Sequence, residues 1–586
     1  MRAVATVIIV ALWAGAVPVV SADAPGHHRD KLDAELTRRL ANREPGTVAV
    51  IVTAAPGRQV QAKAHVSRRA VRAMVDHEFI NAFSTELPVA ALKALVADPA
   101  VDHVSFDAPV SGFGDTTVSL VPLLSENMLL PTLALPSGTY TGAGVGVAVL
   151  DSGIVNHPAV PVAAFYDFVS KGGAATKPND PFGHGSHVAG MIMDTQGWSD
   201  ARYKSVAKGA RLIGLRVLDS NGVGTSSALL QAIQFAIQNK KTLGIDVMNL
   251  SLGHPTFESA STDPLVAAVE AAVRAGIVVV VSAGNFGINP FTGQPGYAGI
   301  TSPGNAPSVI TVGAVDTKNT VTRMDDEVAP FSSRGPTWYD GFAKPDIVAP
   351  GRRVVSFMAK GSSLYKKYPS YAVDIATRTY MMLSGTSMAT AVTSGVVALM
   401  IEASRATNPA HAALPPNAIK AILEYTAATM PGVDELTQGA GALNGAGAVA
   451  LAAAIDPTQP VGASWLTKLM PPITVLPNAE TLVWSHHILW GDVFAWGDPV
   501  FQNDAAWDPA TVWGNTVVWR NSSVSGNSVV WGNSVVWGNS VVWGNAIVWG
   551  NLTIDGYAIV WGNTVDWESI SPEAIVWGNF IDPAKY

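Results

Sequence analysis

Hydrophobic and polar positions change their period several times along the chain. Between Thr47 and Phe106 short alternating runs give way to helical spacing and back again. Thr47–Thr53 alternates and predicts a strand, and Val66–Val75 carries helical spacing. Phe79–Leu87 predicts a second strand, Val89–Ala97 a second helix stopped at Asp98 and Pro99, and Val101–Phe106 a closing strand. This β-α-β-α-β order suits a small α+β domain of the ferredoxin-like type.

From about Gly142 the pattern is different. Val145–Leu150, Arg211–Val217, Ile245–Leu250, Ile277–Ser282 and Ser308–Val312 are near-continuous apolar runs, as expected of strands covered on both faces of a parallel sheet. Ser227–Gln238 and Pro264–Ala275 carry helical spacing between them. The prediction is an α/β domain with a doubly wound, mainly parallel sheet. This pattern fades near Ile455, where prolines at 457, 460, 471, 472 and 477 mark a linker. Beyond Thr481 the chain repeats itself. Trp531, Trp537, Trp543 and Trp549 keep a period of six, each followed by Gly-Asn, and Trp507, Trp513, Trp519, Trp561 and Trp567 share the register. Thirteen of the 17 tryptophans lie between Trp484 and Trp577, which marks a separate repeat module. Short strands with Gly-Asn turns could build an antiparallel meander or a β-solenoid; stacking of indoles along one axis favours the solenoid.

Composition sharpens this picture in three places. A chain of 586 residues exceeds one core, so several domains are expected. Net charge is −8 and no dense basic run occurs, which argues against nucleic-acid binding. There are no cysteines, which excludes a thiol nucleophile, disulfides and cysteine zinc sites. At the N-terminus, Met1-Arg2, an apolar stretch from Ala3 to Val20 and the small residues Ser21 and Ala22 read as a secretory signal peptide, so the protein is expected to be secreted. No other stretch approaches 18 uninterrupted apolar residues, and no membrane span is expected.

The candidate chemistry sits at strand ends and helix starts of the α/β region. A serine hydroxyl needs a base, the base needs an orienting group, and the oxyanion formed on attack needs donors. Asp151 ends the run Val145–Leu150, where α/β sheets build their sites, although a strand-end aspartate can also merely cap a loop. His184 lies in Gly183–Gly190 at the start of a helical stretch. A zinc reading of His184 with His187 finds neither a cysteine nor an HExxH glutamate to support it, and His187 reads as structural. Ser387 opens an apolar helix ending near Met400, although Ser384 or Thr386 would serve equally well as a plain cap. Asn285 follows a buried strand, with an amide that can donate to an oxyanion.

Taken in order, Val149-Leu-Asp151-Ser-Gly, Gly183-His184-Gly-Ser-His-Val-Ala-Gly, Asn249-Leu-Ser-Leu-Gly253, Ser282-Ala-Gly-Asn285, Phe331–Pro336, Lys344–Gly351 and Ser384-Gly-Thr-Ser387-Met-Ala-Thr resemble the subtilisin-like (subtilase) serine proteases, over roughly residues 140–455. The resemblance implies Ser387 as nucleophile, His184 as general base and acid, Asp151 as orienting carboxylate and Asn285 as oxyanion donor. It implies that Ser251, Leu252 and Gly253, with Ser282, Ala283 and Gly284, flank a substrate peptide, and it makes Gly222–Thr225 the opposite rim. Ala391 stands where the family usually has proline. No cofactor is implied for the chemistry and no metal ligand is assigned. Asp194–Lys204 stands where many members carry a calcium loop but does not resemble it, so structural calcium is not expected there.

Residues 47–106 resemble the family's inhibitory propeptide, notably at Asn81–Leu87 and Asp98–Val104, which implies self-cleavage between about Phe106 and Ser119. The expected division is therefore a signal peptide (1–22), a propeptide acting as intramolecular inhibitor and folding aid (23–112), a catalytic domain (113–455), a Pro-rich linker (456–480) and a repeat module (481–586). Expected partners are protein or peptide substrates and the propeptide. Tryptophans turned outward in the tail would suit a glycan, a surface or a partner; turned inward they are core. The competing reading is a binding or matrix protein whose protease-like domain is inert, against which the full set of catalytic residue types speaks.

Overall fold

The computed structural model describes residues 31–513, apart from 113–125, 136–138, 196–201, 290–291, 409, 492 and 497, together with the backbone of three short segments beyond 545. The expected signal peptide, and most of the repeats, lie outside the described residues.

The N-terminal domain comprises α1 (Ala34–Ala41), β1 (Thr47–Ala54), α2 (Gln59–Ser67), β2 (Val75–His77), β3 (Ala82–Pro88), α3 (Leu92–Val96) and β4 (Val101–Phe106). Its sheet is antiparallel in the order β2-β3-β1-β4. The first helix between strands comes earlier than the expected 66–75: Ala62 and Val66 face the domain's core, and from Val75 the chain is already an edge strand. Leu36, Val50, Val52, Phe83, Leu87, Leu92 and Val104 form a core private to this domain.

Beyond it runs β5 (Pro109–Gly112), then the central α/β layer: β6 (Gly146–Asp151), β7 (Val162–Asp167), β8 (Ala174–Ala175), α4 (His184–Ile192), β9 (Arg211–Arg216), β10 (Val223–Thr225), α5 (Ser226–Gln238), β11 (Ile245–Leu250), β12 (Leu252–Gly253), α6 (Pro264–Arg274), β13 (Val278–Ser282), β14 (Ile310–Asp316), β15 (Glu327–Val328) and β16 (Ile347–Pro350). The sheet order is β15-β14-β13-β11-β6-β9-β7-β8, with β16 also on β14, and all pairings but those of β8 and β15 are parallel. Helices α5 and α6 cover one face. The other is covered by α4 and α7 (Thr386–Thr407), a helix long and apolar enough to cross a membrane but buried in this core. Helix α8 (Pro416–Thr426) follows.

The core does not stop at Ile455. Trp465, Trp484, Ile488, Leu489, Trp490, Val500, Trp507 and Trp513 are buried in the same cluster as α7 and α8. Residues 456–480 are thus not a free connector, and the first tryptophans of the expected repeat module cover the catalytic domain. Asn417 on α8 donates to the carbonyls of Ala506, Asp508 and Thr511, and Glu424 accepts from Leu489 N–H at 2.8 Å. Every residue of α8 is buried under this strap. Farther on, the segments Ala546–Trp549, Ala558–Trp561 and Ile575–Val576 pair in parallel, Ala546 opposite Ala558.

Candidate active site

Asp151 ends β6, between β9 and β11, so the sheet delivers its carboxylate to the carboxyl edge at the centre of the fold. His184 is the first residue of α4. Gly185 after it permits the approach, because a Cβ there would run into the Gly153 carbonyl and lie 3.1 Å from Cβ of Asp151. His184 Nδ1 is 2.8 Å from Oδ1 and 3.0 Å from Oδ2 of Asp151. A carboxylate facing Nδ1 places the proton there and leaves Nε2 as the basic nitrogen. Burial alone would lower the imidazole pKa, but the Asp151 carboxylate, with Asp180 behind it, outweighs burial and the net shift is upward.

Ser387 lies in the first turn of α7. Its Oγ donates to the Ser251 carbonyl at 2.9 Å, while Ser251 Oγ donates to the Ser387 carbonyl at 2.9 Å. His184 Nε2 has no hydrogen-bond partner, so the structure brings Asp151 and His184 together but holds the Ser387 hydroxyl on Ser251. Asn285 Oδ1 accepts from the backbone N–H of Thr386 at 3.1 Å and from its hydroxyl at 3.0 Å. A backbone N–H can only donate, so this contact fixes which end of the amide is oxygen and turns the NH2 group the other way. Ser282 ends β13; Ala283 and Gly284 continue from it, and Gly284 N–H donates to Thr386 Oγ1 at 3.3 Å. Gly284 has φ +102°, and a Cβ there would meet Thr301 and Ser333.

The cleft is filled by the chain itself. Strand β5 lies between β10 and β12, antiparallel to both: Val223–Thr225 pairs on one side, and Leu252 and Gly253 pair with Gly112 and Ser111 on the other. Both rims expected for a substrate peptide therefore carry one. Val110 is fully buried among Leu150, Val217, Leu229, Leu230 and Leu252. Gly112 lies against the imidazole, where a Cβ would stand 3.1 Å from Cε1 and Nδ1 of His184.

The same N-terminal domain seals to the catalytic domain through polar contacts. Asp107 caps α5, accepting from Ser227 N–H at 2.8 Å and Ser227 Oγ at 2.7 Å. His103 Nε2 faces Glu258 Oε2 at 2.7 Å, both side chains buried, and Asp33 lies beside them.

His187 hydrogen-bonds the Met381 carbonyl at 2.9 Å, and burial pushes its pKa down to about 3, a neutral structural histidine as expected. Among the described residues no cluster of three His, Asp or Glu side chains could hold a metal ion. In the segment 194–204, partly outside the described residues, Asp194 accepts instead from the Tyr380 hydroxyl at 2.8 Å. Three residues that sequence reasoning passed over belong to the site. Asn249 donates to Ser251 Oγ at 3.0 Å and accepts from Ser394 Oγ at 2.9 Å, Thr386 orients Asn285, and Asp180 receives several donors near His184. Asn249 and Thr386 stand inside quoted motifs; only Asp180, four residues before His184, had no signal beyond its position.

A family model described as the subtilase family matches residues 142–447, just over half of the chain. Serine protease AprX of Bacillus subtilis (strain 168) is 37% identical over 373 residues, which cover 62% of this chain and 78% of that one. Subtilisin E of the same strain is 34% identical over 338 residues, 57% of this chain and 74% of that one. Among solved structures, fervidolysin from Fervidobacterium pennivorans, described as a keratinolytic enzyme related to subtilisin, matches with a TM-score of 0.53 at 23% identity. That match covers 69% of this chain and 61% of that one, and is a likeness of fold.

Proposed function

The chain belongs to the subtilase family of serine proteases, which hydrolyse peptide bonds, and from that premise we propose that Ser387, His184 and Asp151 carry the reaction in a secreted enzyme made as a zymogen. Ser387 Oγ turns from the Ser251 carbonyl to His184 Nε2 and attacks the scissile carbonyl as Nε2 takes its proton. Asp151 holds the Nδ1–H tautomer and stabilises the imidazolium that forms. The oxyanion is met by the Ser387 N–H at the positive end of α7 and by the Asn285 NH2. His184 then returns the proton to the leaving amine, and water, activated by the same base, releases the acyl group from Ser387. The chemistry requires no cofactor.

The observation that carries this reading is the strand Pro109–Gly112, paired on both edges and set against the His184 imidazole as a substrate would be. Residues 23–112, behind a signal peptide at 1–22, are in this reading an intramolecular inhibitor removed by self-cleavage. Ser251–Gly253 and Ser282–Gly284 line the substrate, with Gly222–Thr225 opposite. For the tail we propose a β-solenoid, supported by parallel pairing at a spacing of twelve residues, two hexapeptides per coil.

The test is expression of wild type and Ser387→Ala with N-terminal sequencing and a casein assay. Wild type should lose its N-terminal domain and cleave casein, and the variant should do neither. Two inactive, uncut proteins would overturn the reading in favour of a binding protein. Asn285→Ala should lower kcat by about 10²–10³-fold, the size known for loss of such a donor in a subtilisin, with little change in KM.

A further inference from the structure

Asp180 lies in the loop that enters α4, four residues before His184. Its side chain is buried, with the residue only 7% exposed, and four donors point at it. Ser152 Oγ at 2.9 Å and the backbone N–H groups of Phe182 at 3.2 Å and Gly183 at 2.7 Å reach Oδ1. The N–H of Ser186 reaches Oδ2 at 2.8 Å.

The first N–H groups of a helix have no partner within it and need acceptors from outside. The residue before α4 is Gly183, which has no side chain to supply one. Asp180 does so instead, and it holds the turn that carries His184. Its second link runs to the other member of the pair. Ser152, which donates to Asp180, accepts the Gly185 N–H on the same oxygen at 2.9 Å, and its own N–H donates to Asp151 Oδ1 at 2.7 Å. Thus a single carboxylate joins the residue after Asp151 to the residues on both sides of His184.

We propose that Asp180 is a positioning residue for the Asp151–His184 pair, locking the first turn of α4 to Ser152 so that imidazole and orienting carboxylate keep one separation through both proton transfers. This rests on the assignment of Asp151, His184 and Ser387 given above. Asp180 also acts at a distance through its charge. The titratable groups facing His184 are Asp151, Asp180 and His187; the two carboxylates stabilise the imidazolium and His187 opposes it.

The test compares full-length wild type, Ser387→Ala, Asp180→Asn and Ser152→Ala, measuring kcat and KM for a peptide substrate against pH, with thermal melting alongside. Asn keeps an acceptor for the three donors on Oδ1, loses the charge and sets an NH2 against the Ser186 N–H. Asp180→Asn should lower kcat by about 10²-fold with KM nearly unchanged. It should also move the acid limb of kcat/KM to lower pH, because His184 loses one of the carboxylates that favour its proton. A merely structural role would lower the melting temperature and leave that limb in place. A folded Asp180→Asn enzyme with wild-type kcat, or with an unmoved acid limb, overturns the proposal. Should that variant not fold, Ser152→Ala carries the test, since it keeps the charge and removes the bridge: kcat should fall by about tenfold, and wild-type kcat overturns the proposal. Wild type active with Ser387→Ala inactive secures the underlying assignment; failure of that control strikes the protease chemistry and not Asp180.

Discussion

Residues 31–112 and residues 456–513 both pack on the catalytic domain, but by different physics. The N-terminal domain has its own core around Phe83, Leu87 and Val104. It meets its neighbour through a strand in the cleft, a helix cap at Asp107 and a buried cluster of Asp33, His103 and Glu258. The C-terminal strap has no such separate core; Trp465, Trp490, Trp507 and Trp513 share one with α7 and α8. Trp490 and Trp513 lie 4.0 Å apart between ring centroids, and the Lys420 ammonium lies 4.4 Å from the Trp513 ring. Removing the first piece separates two finished surfaces. Removing the second opens a core.

The largest effect expected from that contrast is in truncation. A chain ending at Ile455 should not accumulate as folded protein, whereas one ending after Trp513 should fold and self-process like full-length protein; soluble yield and thermal melting decide. Equal behaviour of the two would break the comparison. Next, Trp507→Ala should cost about 3–5 kcal/mol by denaturant titration, the range for emptying a buried aromatic site.

A smaller effect is expected in the pH dependence of the N-terminal domain. In the complex, burial first and the Glu258 carboxylate second push Asp33 up to about 7, and the same two causes push Asp263 up to about 7. Burial pulls His103 down, but Glu258, Asp33 and Asp102 outweigh it and the shift is upward. His254 and Asp340 also face Glu258. Groups whose pKa rises on association take up protons as the complex forms. Their contribution is therefore complete at acid pH and is lost as pH climbs from the ordinary carboxylate range through about 7. The separated domain should bind the Ser387→Ala catalytic domain about tenfold more weakly at pH 8 than at pH 5, read by calorimetry, one tenfold step per unit of net shift. The smallest change is at Gly112, where a side chain must displace the His184 ring. Gly112→Val should weaken that binding by roughly severalfold at either pH, in line with modest overpacking.

The parts of the molecule legible in the sequence were those encoded locally. Asp151, His184, Asn285 and Ser387 stand in short motifs at strand ends and helix starts, and the apolar runs give the strands of the parallel sheet. What escaped depends on distant packing. Helical spacing in 66–75 was real, but Ala62 and Val66 were the residues that found a core. The period of six groups Trp507 and Trp513 with the later repeats, yet says nothing of α8, whose apolar surface buries them. Asp180 resembled any loop aspartate until the chain brought Ser152, Gly183 and Ser186 around it.

The strand that fills the cleft belongs to the same chain as the cleft, and that continuity has a consequence for dilution. While the connection is intact, β5 competes with substrate at an effective concentration on the order of millimolar, whatever the amount of protein present. Cutting the connection turns the same contact into an encounter between two molecules, whose occupancy depends on the volume they share. Freshly cut enzyme in a crowded compartment stays closed, and the same enzyme released into a large volume opens, so the medium into which the protein is released sets the timing of its activity.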